Sequence, residues 1–519
     1  MIHTQLIKPV ANLIRQQAAA RAAKVAFRDS RSAVTYAQLD SATANLAGHL
    51  QDAGIEAGDS VAIFLPNSVE WVESCFAVVR AGAVAVPISV DATEPEVMYR
   101  IEDADCKAII TTAQRAGLVA SLMARHPGLR MLIVTDSGEA ADDAAKSGKR
   151  YETLRNEPAR SLPRDPDGID QPSFIIYTSG TTGRAKGVLL SQRSMLWVTG
   201  ACWTPIAGLN ENDHVLSPLP LFHSYALNLS VLSILAVGAT ETILEKFSTS
   251  EVMNHLKSGE FTVFPGVPTM FHYLLEAARL DPDCRFPNLR LCLSAGAIMP
   301  GPINTEFERR FGVMLLDGYG ITETSTMVTL NWMTGSRVMG SCGLALPGLS
   351  TRIVDRDDRD VTPGEEGELI VRGPNLMAGY HNKPEETASA LRNGWYYTGD
   401  LARCDPNGYL TITGRLKEII IRGGQNIAPS EVEEAVSAFD AVLDCAVVGA
   451  PHQHLGEVPV VFVVPRPDMT IDADALLQHC RQRLSAYKLP DAVHIVSQIP
   501  RTGSGKIIRF RLKETLPSG

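Results

Sequence analysis

At 519 residues the chain is longer than one ordinary domain, and 45% hydrophobic with 20% charged residues is a globular composition, which excludes a disordered or collagen-like protein. A formal net charge of −10 speaks against DNA or RNA as partner, because a polyanion is repelled. Nine cysteines are scattered singly with no CxxC pair, so a reduced, cytoplasmic chain without structural zinc is expected.

The first 24 residues are amphipathic and contain arginine, but they lack the apolar stretch of a secretory signal; a transit peptide is the other reading of that pattern. Residues 36–54 carry helical apolar spacing that ends at Gly54, 60–66 form a short apolar strand, 68–83 a helix and 106–112 a strand. Repeated βα units of this kind predict a mostly parallel sheet covered by helices. Residues 138–172 are polar and rich in Asp, Arg and Pro, as a connector is. The apolar run 227–238, "LNLSVLSILAVG", is shorter than the ~20 residues needed to cross a bilayer and predicts a buried helix. After Gly343 short β runs alternate with turns. Near Lys417 a smaller α+β unit begins, with a helix at "SEVEEAVSAF" and strands at "DCAVVGA" and "VPVVFVVP". The expected fold is therefore α/β: a large N-terminal domain of βα subdomains plus a small β-rich subdomain (1–416), followed by a small α+β C-terminal domain (417–519).

Residues 174–187, "FIIYTSGTTGRAKG", turn from an apolar strand into hydroxyls, glycines and one lysine. Glycines let backbone N–H groups face an anion, hydroxyls add donors and Lys186 adds charge, which together suit phosphate. The P-loop pattern is half met. Gly180 and Lys186 have its spacing, but Ala185 replaces its second glycine and Gly187 its Mg²⁺-binding hydroxyl residue. Taken alone, the stretch reads as well as a surface turn.

The stretch closely resembles the phosphate loop of the adenylate-forming enzymes, which include acyl- and aryl-CoA synthetases, peptide-synthetase adenylation domains and firefly luciferase. Ala185 stands where that family usually has proline. Six further segments resemble family motifs in order: "PLFHSYALN" (220–228), "LSAGAIMP" (293–300), "DGYGITET" (317–324), "GWYYTGDL" (394–401), "GRLKEIIIRGGQNIAPSEVEE" (414–434) and "RTGSGKIIR" (501–509).

The resemblance implies that a carboxylate attacks the α-phosphate of ATP, releasing pyrophosphate, and that the acyl-adenylate then passes to the thiol of CoA. It implies ATP-binding roles for Thr178, Ser179, Gly180, Thr181, Thr182, Lys186, Gly296, Ala297, Asp317, Gly318, Tyr319, Thr322, Asp400 and Arg415. Lys506 is the implied catalytic lysine that bridges carboxylate and phosphate. Thr322 meets the α-phosphate and Glu323 is the Mg²⁺ ligand. His223, Tyr225, Ala297 and Gly320 line the acyl pocket, with His223 at its mouth. The unit after the Lys417 hinge is expected to rotate between the two half-reactions, bringing Gly423 and Gly424 beside the pantetheine arm; a hairpin turn is the plainer reading of that Gly pair.

His452 and His454 read as a solvated turn, and no cysteine falls inside a matched motif. The expected acid is a monocarboxylate with an aryl or medium-chain body, since no charge in the pocket segments announces a second carboxylate. Three readings stay beside this one: loading of an acyl carrier protein's phosphopantetheine, a luciferase-like oxygenase, and an inactive nucleotide-binding relic. Monomer and homodimer are both open.

Overall fold

The computed structural model describes residues 1–135, 148–178, 185–502 and 505–516. Local signals start the first helices: Thr35 forms a capping box with Gln38 ahead of Tyr36–Asp52, and Ser68 accepts from the Trp71 N–H ahead of Val69–Arg80. Between them the strand Ser60–Phe64 is buried throughout, as a central parallel strand must be.

Two large sheets form the body of the molecule. One runs Gly379–Tyr380, Lys186–Ser191, Pro172–Thr178, Val84–Pro87, Ser60–Phe64, Cys106–Thr112, Met131–Thr135, Lys149–Arg150 in spatial order. The other has nine strands, with the parallel neighbours Thr240–Ile243, His214–Ser217, Val263–Gly266, Leu291–Ser294 and Met314–Tyr319 at its centre. A single apolar core joins side chains of both sheets, such as Ile63 and Ile110 with Phe27 and Val263, to those of Val69–Arg80 and the 224–237 segment. The helix Val10–Ala20 places Val10, Leu13 and Ile14 in the same core, so the amphipathic N-terminus is part of the packed body.

Residues 350–415 make a five-stranded sheet, as the β runs predicted, ending with the strand Leu410–Arg415. The next strand, Ile420–Arg422, already belongs to the C-terminal sheet, which centres on Val442–His452 and Gly456–Pro465. Sheet membership thus changes between Arg415 and Ile420.

One segment differs from its sequence reading, and a second is the buried helix expected but of an unexpected type. The polar connector holds a short helix, Tyr151–Asn156, because the buried Glu73 accepts from Tyr151 at 2.6 Å and from Arg155 at 2.8 and 2.9 Å. The apolar run at 227–238 is a π-helix, Leu227–Ser233, that continues as Ile234–Val237. Among the described residues no helix is long and apolar enough to cross a membrane.

Candidate active site

The motifs that the resemblance assigns to the nucleotide converge where strands end, the usual place for a ligand beside parallel sheets. Thr178 closes the strand Pro172–Thr178 and pairs in register with Lys186, which opens Lys186–Ser191. The strands that flank the phosphate-loop candidate are therefore antiparallel neighbours, and the chain returns as a strand where a P-loop would start a helix. Ser179, Gly180, Thr181 and Thr182 lie outside the described residues. Ala185 presents its carbonyl to the Tyr99 hydroxyl at 2.8 Å, which ties down the position where the resemblance expects proline.

Lys186 Nζ sits 5.0 Å from the centre of the Tyr380 ring, and the Tyr380 hydroxyl donates to Glu323 Oε1 at 3.0 Å. One aromatic ring thus separates the loop cation from the carboxylate that motif position assigns to metal. Glu323 lies in the turn Thr322–Thr324, where Thr322 Oγ1 meets Ser224 Oγ at 3.2 Å. Gly320, just before, has no room for a side chain: a Cβ there would lie 1.5 Å from the Thr326 carbonyl oxygen.

The other charged group is built on Asp400, which is almost wholly buried. Its carboxylate takes the Tyr319 hydroxyl at 2.5 Å and Arg415 Nε at 2.7 Å. The Coulomb field of Asp400, set against desolvation, raises the Arg415 guanidinium. Lys506 lies within electrostatic reach of Arg415, Asp400, Glu323 and Glu418; burial and then Arg415 lower its pKa, while the three carboxylates raise it. A Cβ added to its neighbour Gly505 would lie 3.0 Å from a Val267 methyl, so the segment that carries the lysine is packed closely against the large domain.

Burial, and then the Lys506 charge, push the His223 imidazole down to about 3, so the ring is neutral at physiological pH. Its Nδ1 accepts from the Tyr225 N–H at 3.3 Å, which leaves the proton on Nε2. Tyr225 is buried, spends its hydroxyl on the Leu293 carbonyl at 3.1 Å and stacks on Trp203 with centroids 6.1 Å apart. Gly296 has a left-handed φ of 88° and Ala297 is exposed beside it.

Asp317 is more deeply set than a ligand contact requires. Burial pushes its carboxyl well up, and Oδ1 has no hydrogen-bond partner among the described residues. Gly318 packs against Met327 and the Thr329 carbonyl. Gly423 and Gly424, with φ of 58° and 83°, form the turn between Ile420–Arg422 and Gln425–Ile427. Gly423 bonds Leu455 of its own domain at 2.7 Å, so the pair is not gathered with the other site residues in this arrangement. Sequence reading missed Tyr380, Ser224 and Trp203. Only Ser224 lay within a motif, and nothing in "MAGYHNKPEE" marks its tyrosine chemically.

Glu323 is one carboxylate with one oxygen held by Tyr380. That donor set fits Mg²⁺, which binds through one or two carboxylates and takes its other ligands from phosphate and water. Bound there, the ion would supply charge neutralisation to the departing pyrophosphate.

A buried lysine set among carboxylates, on a segment packed against Val267 of the large domain, is the arrangement expected of an adenylate-forming ligase. The chain belongs to the AMP-binding enzyme family: that family's model matches residues 14–381, and the model of the AMP-binding enzyme C-terminal domain matches 431–506. It is 35% identical over 491 residues to feruloyl-CoA synthase of Amycolatopsis sp, covering 94% of this chain and 95% of that one. The anthranilate CoA ligase AuaEII in complex with anthranoyl-AMP superposes with a TM-score of 0.89 at 26% identity, covering 98% and 96% of the two chains. ATP-bound MatB from Rhodopseudomonas palustris gives 0.87 at 31% identity, covering 97% and 98%; apo MatB, at the same identity and coverage, gives 0.76. This chain therefore superposes more closely on the ATP-bound structure than on the apo structure. The protein is an AMP-forming acid–thiol ligase: it activates a carboxylic acid with ATP as an acyl-adenylate and transfers the acyl group to CoA.

Proposed function

We propose that the acid is an aromatic monocarboxylate and that Lys506, Glu323, Asp400 and Arg415 divide the adenylation step among them. Two anions must meet before any bond forms, so positioning and charge neutralisation are the main tasks of the site. Lys506 bridges the incoming carboxylate and the α-phosphate, which Thr322 also meets. Asp400 and Arg415 hold the ribose, and Thr178 and Lys186 attend the leaving pyrophosphate. Residues 418–519 act as the moving unit, with Lys417 as hinge; the change of sheet between Arg415 and Ile420 supports that boundary.

The observation that carries the choice of acid is Tyr225. Fixed through its hydroxyl to Leu293 and stacked on Trp203, it offers a flat, rigid wall beside the neutral His223, suited to an aromatic ring. Relatives named for ferulate and anthranilate agree with that choice. The test is pyrophosphate release with CoA over ferulate, benzoate, anthranilate, octanoate and palmitate. An aryl acid should exceed octanoate in kcat/KM by about tenfold or more, the discrimination that pocket shape alone can supply. Octanoate outrunning every aryl acid, or no turnover with any of them, would sink the assignment.

A further inference from the structure

The helix Pro268–Arg279 meets the C-terminal domain at two places. Val267, just ahead of it, touches the loop that carries Lys506, at Gly505. Two turns further on, Glu276 Oε2 lies 2.5 Å from Nη1 of Arg466, which follows the strand Gly456–Pro465. Both side chains are largely shielded, at 17% exposure for Arg466 and 23% for Glu276. Among the described residues Nη1 makes no aligned hydrogen bond, so this is a contact between charges, while Nε is anchored within its own domain on the Asp440 carbonyl at 2.8 Å. The rest of the rim is also polar: Arg279 lies 3.4 Å from Glu276, and His272 and Tyr273 face Asp444 and, respectively, Arg466 and Arg501.

We infer that the Glu276–Arg466 pair is a latch that holds the C-terminal domain in the arrangement that presents Lys506, and so sets the balance between the two half-reactions. Neither residue touches a reacting group; both act through the position of Lys506. An ion pair across a joint between domains counts only while the joint is closed, so its free energy enters the conformational equilibrium directly. A shielded pair of this kind carries enough to change a population about threefold to fivefold. The inference rests on the role proposed above for Lys506.

The test separates the half-reactions in Arg466→Ala, Glu276→Gln, Arg466→Lys and Lys506→Ala, with ferulate as the acid, or benzoate or octanoate if ferulate is inert. Adenylation is read by ATP–pyrophosphate exchange, and thioester formation by CoA consumption from the preformed acyl-adenylate. Arg466→Ala and Glu276→Gln should lower exchange about threefold and leave the thioester step unchanged or faster. Arg466→Lys, which keeps the charge, should retain exchange. Lys506→Ala should abolish exchange and spare the thioester step; if it does not, the reading of Lys506 fails on its own account. If Lys506→Ala behaves as expected, the latch is overturned either by unchanged exchange in both neutral variants or by an equal fall in both half-reactions.

Discussion

Tyr380 shows how a single residue can order a site without offering a reactive atom. Lys186 and Glu323 carry opposite charges and would neutralise each other if they met, whereas the roles proposed above, one toward phosphate and one toward metal, require them apart. The Tyr380 ring lies between them, taking the ammonium on its face and giving its hydroxyl to the carboxylate. Removing the hydroxyl should free Glu323 to rotate, and loss of such outer supports costs about 10-fold or more in metal affinity or activity. Tyr380→Phe is therefore expected to raise the Mg²⁺ concentration for half-maximal pyrophosphate exchange about tenfold while leaving the KM for the acid unchanged. Exchange curves across a Mg²⁺ series would check this, and a variant curve that overlays the wild type would discard the spacer role. The sequence could not show this residue. Asp400, Arg415 and Lys506 stand in motifs whose spacing the chemistry imposes, whereas Tyr380 matters only because folding sets its ring between two charges from distant segments.

Among the elements, regular strands and helices were legible from periodicity because their partners are nearby and their bonding is local. The α/β architecture, the β-rich unit after Gly343 and the α+β domain followed from that pattern. The exceptions depend on tertiary partners. The helix Tyr151–Asn156 has a polar surround and exists through Glu73, which lies 78 residues from Tyr151 in sequence. The π-helix Leu227–Ser233 looks like any apolar helix, but Ser233 bonds the Asn228 carbonyl at 2.8 Å and also Thr199 of a second π segment, Thr199–Trp203. Asn228 joins these elements to the site: it accepts from Trp203 Nε1 at 2.7 Å and donates to the Met195 carbonyl at 2.8 Å and the Ser325 carbonyl at 3.3 Å. Asn228→Leu would take a hydrogen-bond partner from three buried groups, each loss costing about 1–3 kcal/mol. The variant should lose about 3 kcal/mol or more in urea unfolding, and the freed Trp203 should let Tyr225 shift, so the KM for the acid rises more than the KM for ATP. A loss under about 1 kcal/mol with an unchanged KM would mean that the network does not position the pocket.

For the molecule as a whole, the acid side of the stability profile should be governed by histidines buried in neutral form. Burial, and then Arg28, lower His214 to about 4 even though Glu260 opposes the shift; its Nε2 meets Thr242 Oγ1 at 2.7 Å and its ring packs 4.5 Å from that of Phe261. His223 is held at about 3 and His272 below its ordinary value, both chiefly by burial. A folded pKa below the unfolded one means that the unfolded chain binds the proton first. The contribution of His214 is therefore complete above the ordinary histidine value of 6.5 and is lost progressively as pH falls toward 4. Between pH 7.5 and 4.5 that loss amounts to about 1–3 kcal/mol for His214 alone. Replacing it with a neutral side chain that can still reach Thr242 removes the titration and keeps the hydrogen bond. His214→Gln should thus be somewhat less stable than the wild type at pH 7.5, through lost packing on Phe261, and should close most of that gap by pH 4.5. Urea midpoints at the two pH values would measure the convergence; parallel profiles would place the acid sensitivity elsewhere in the molecule.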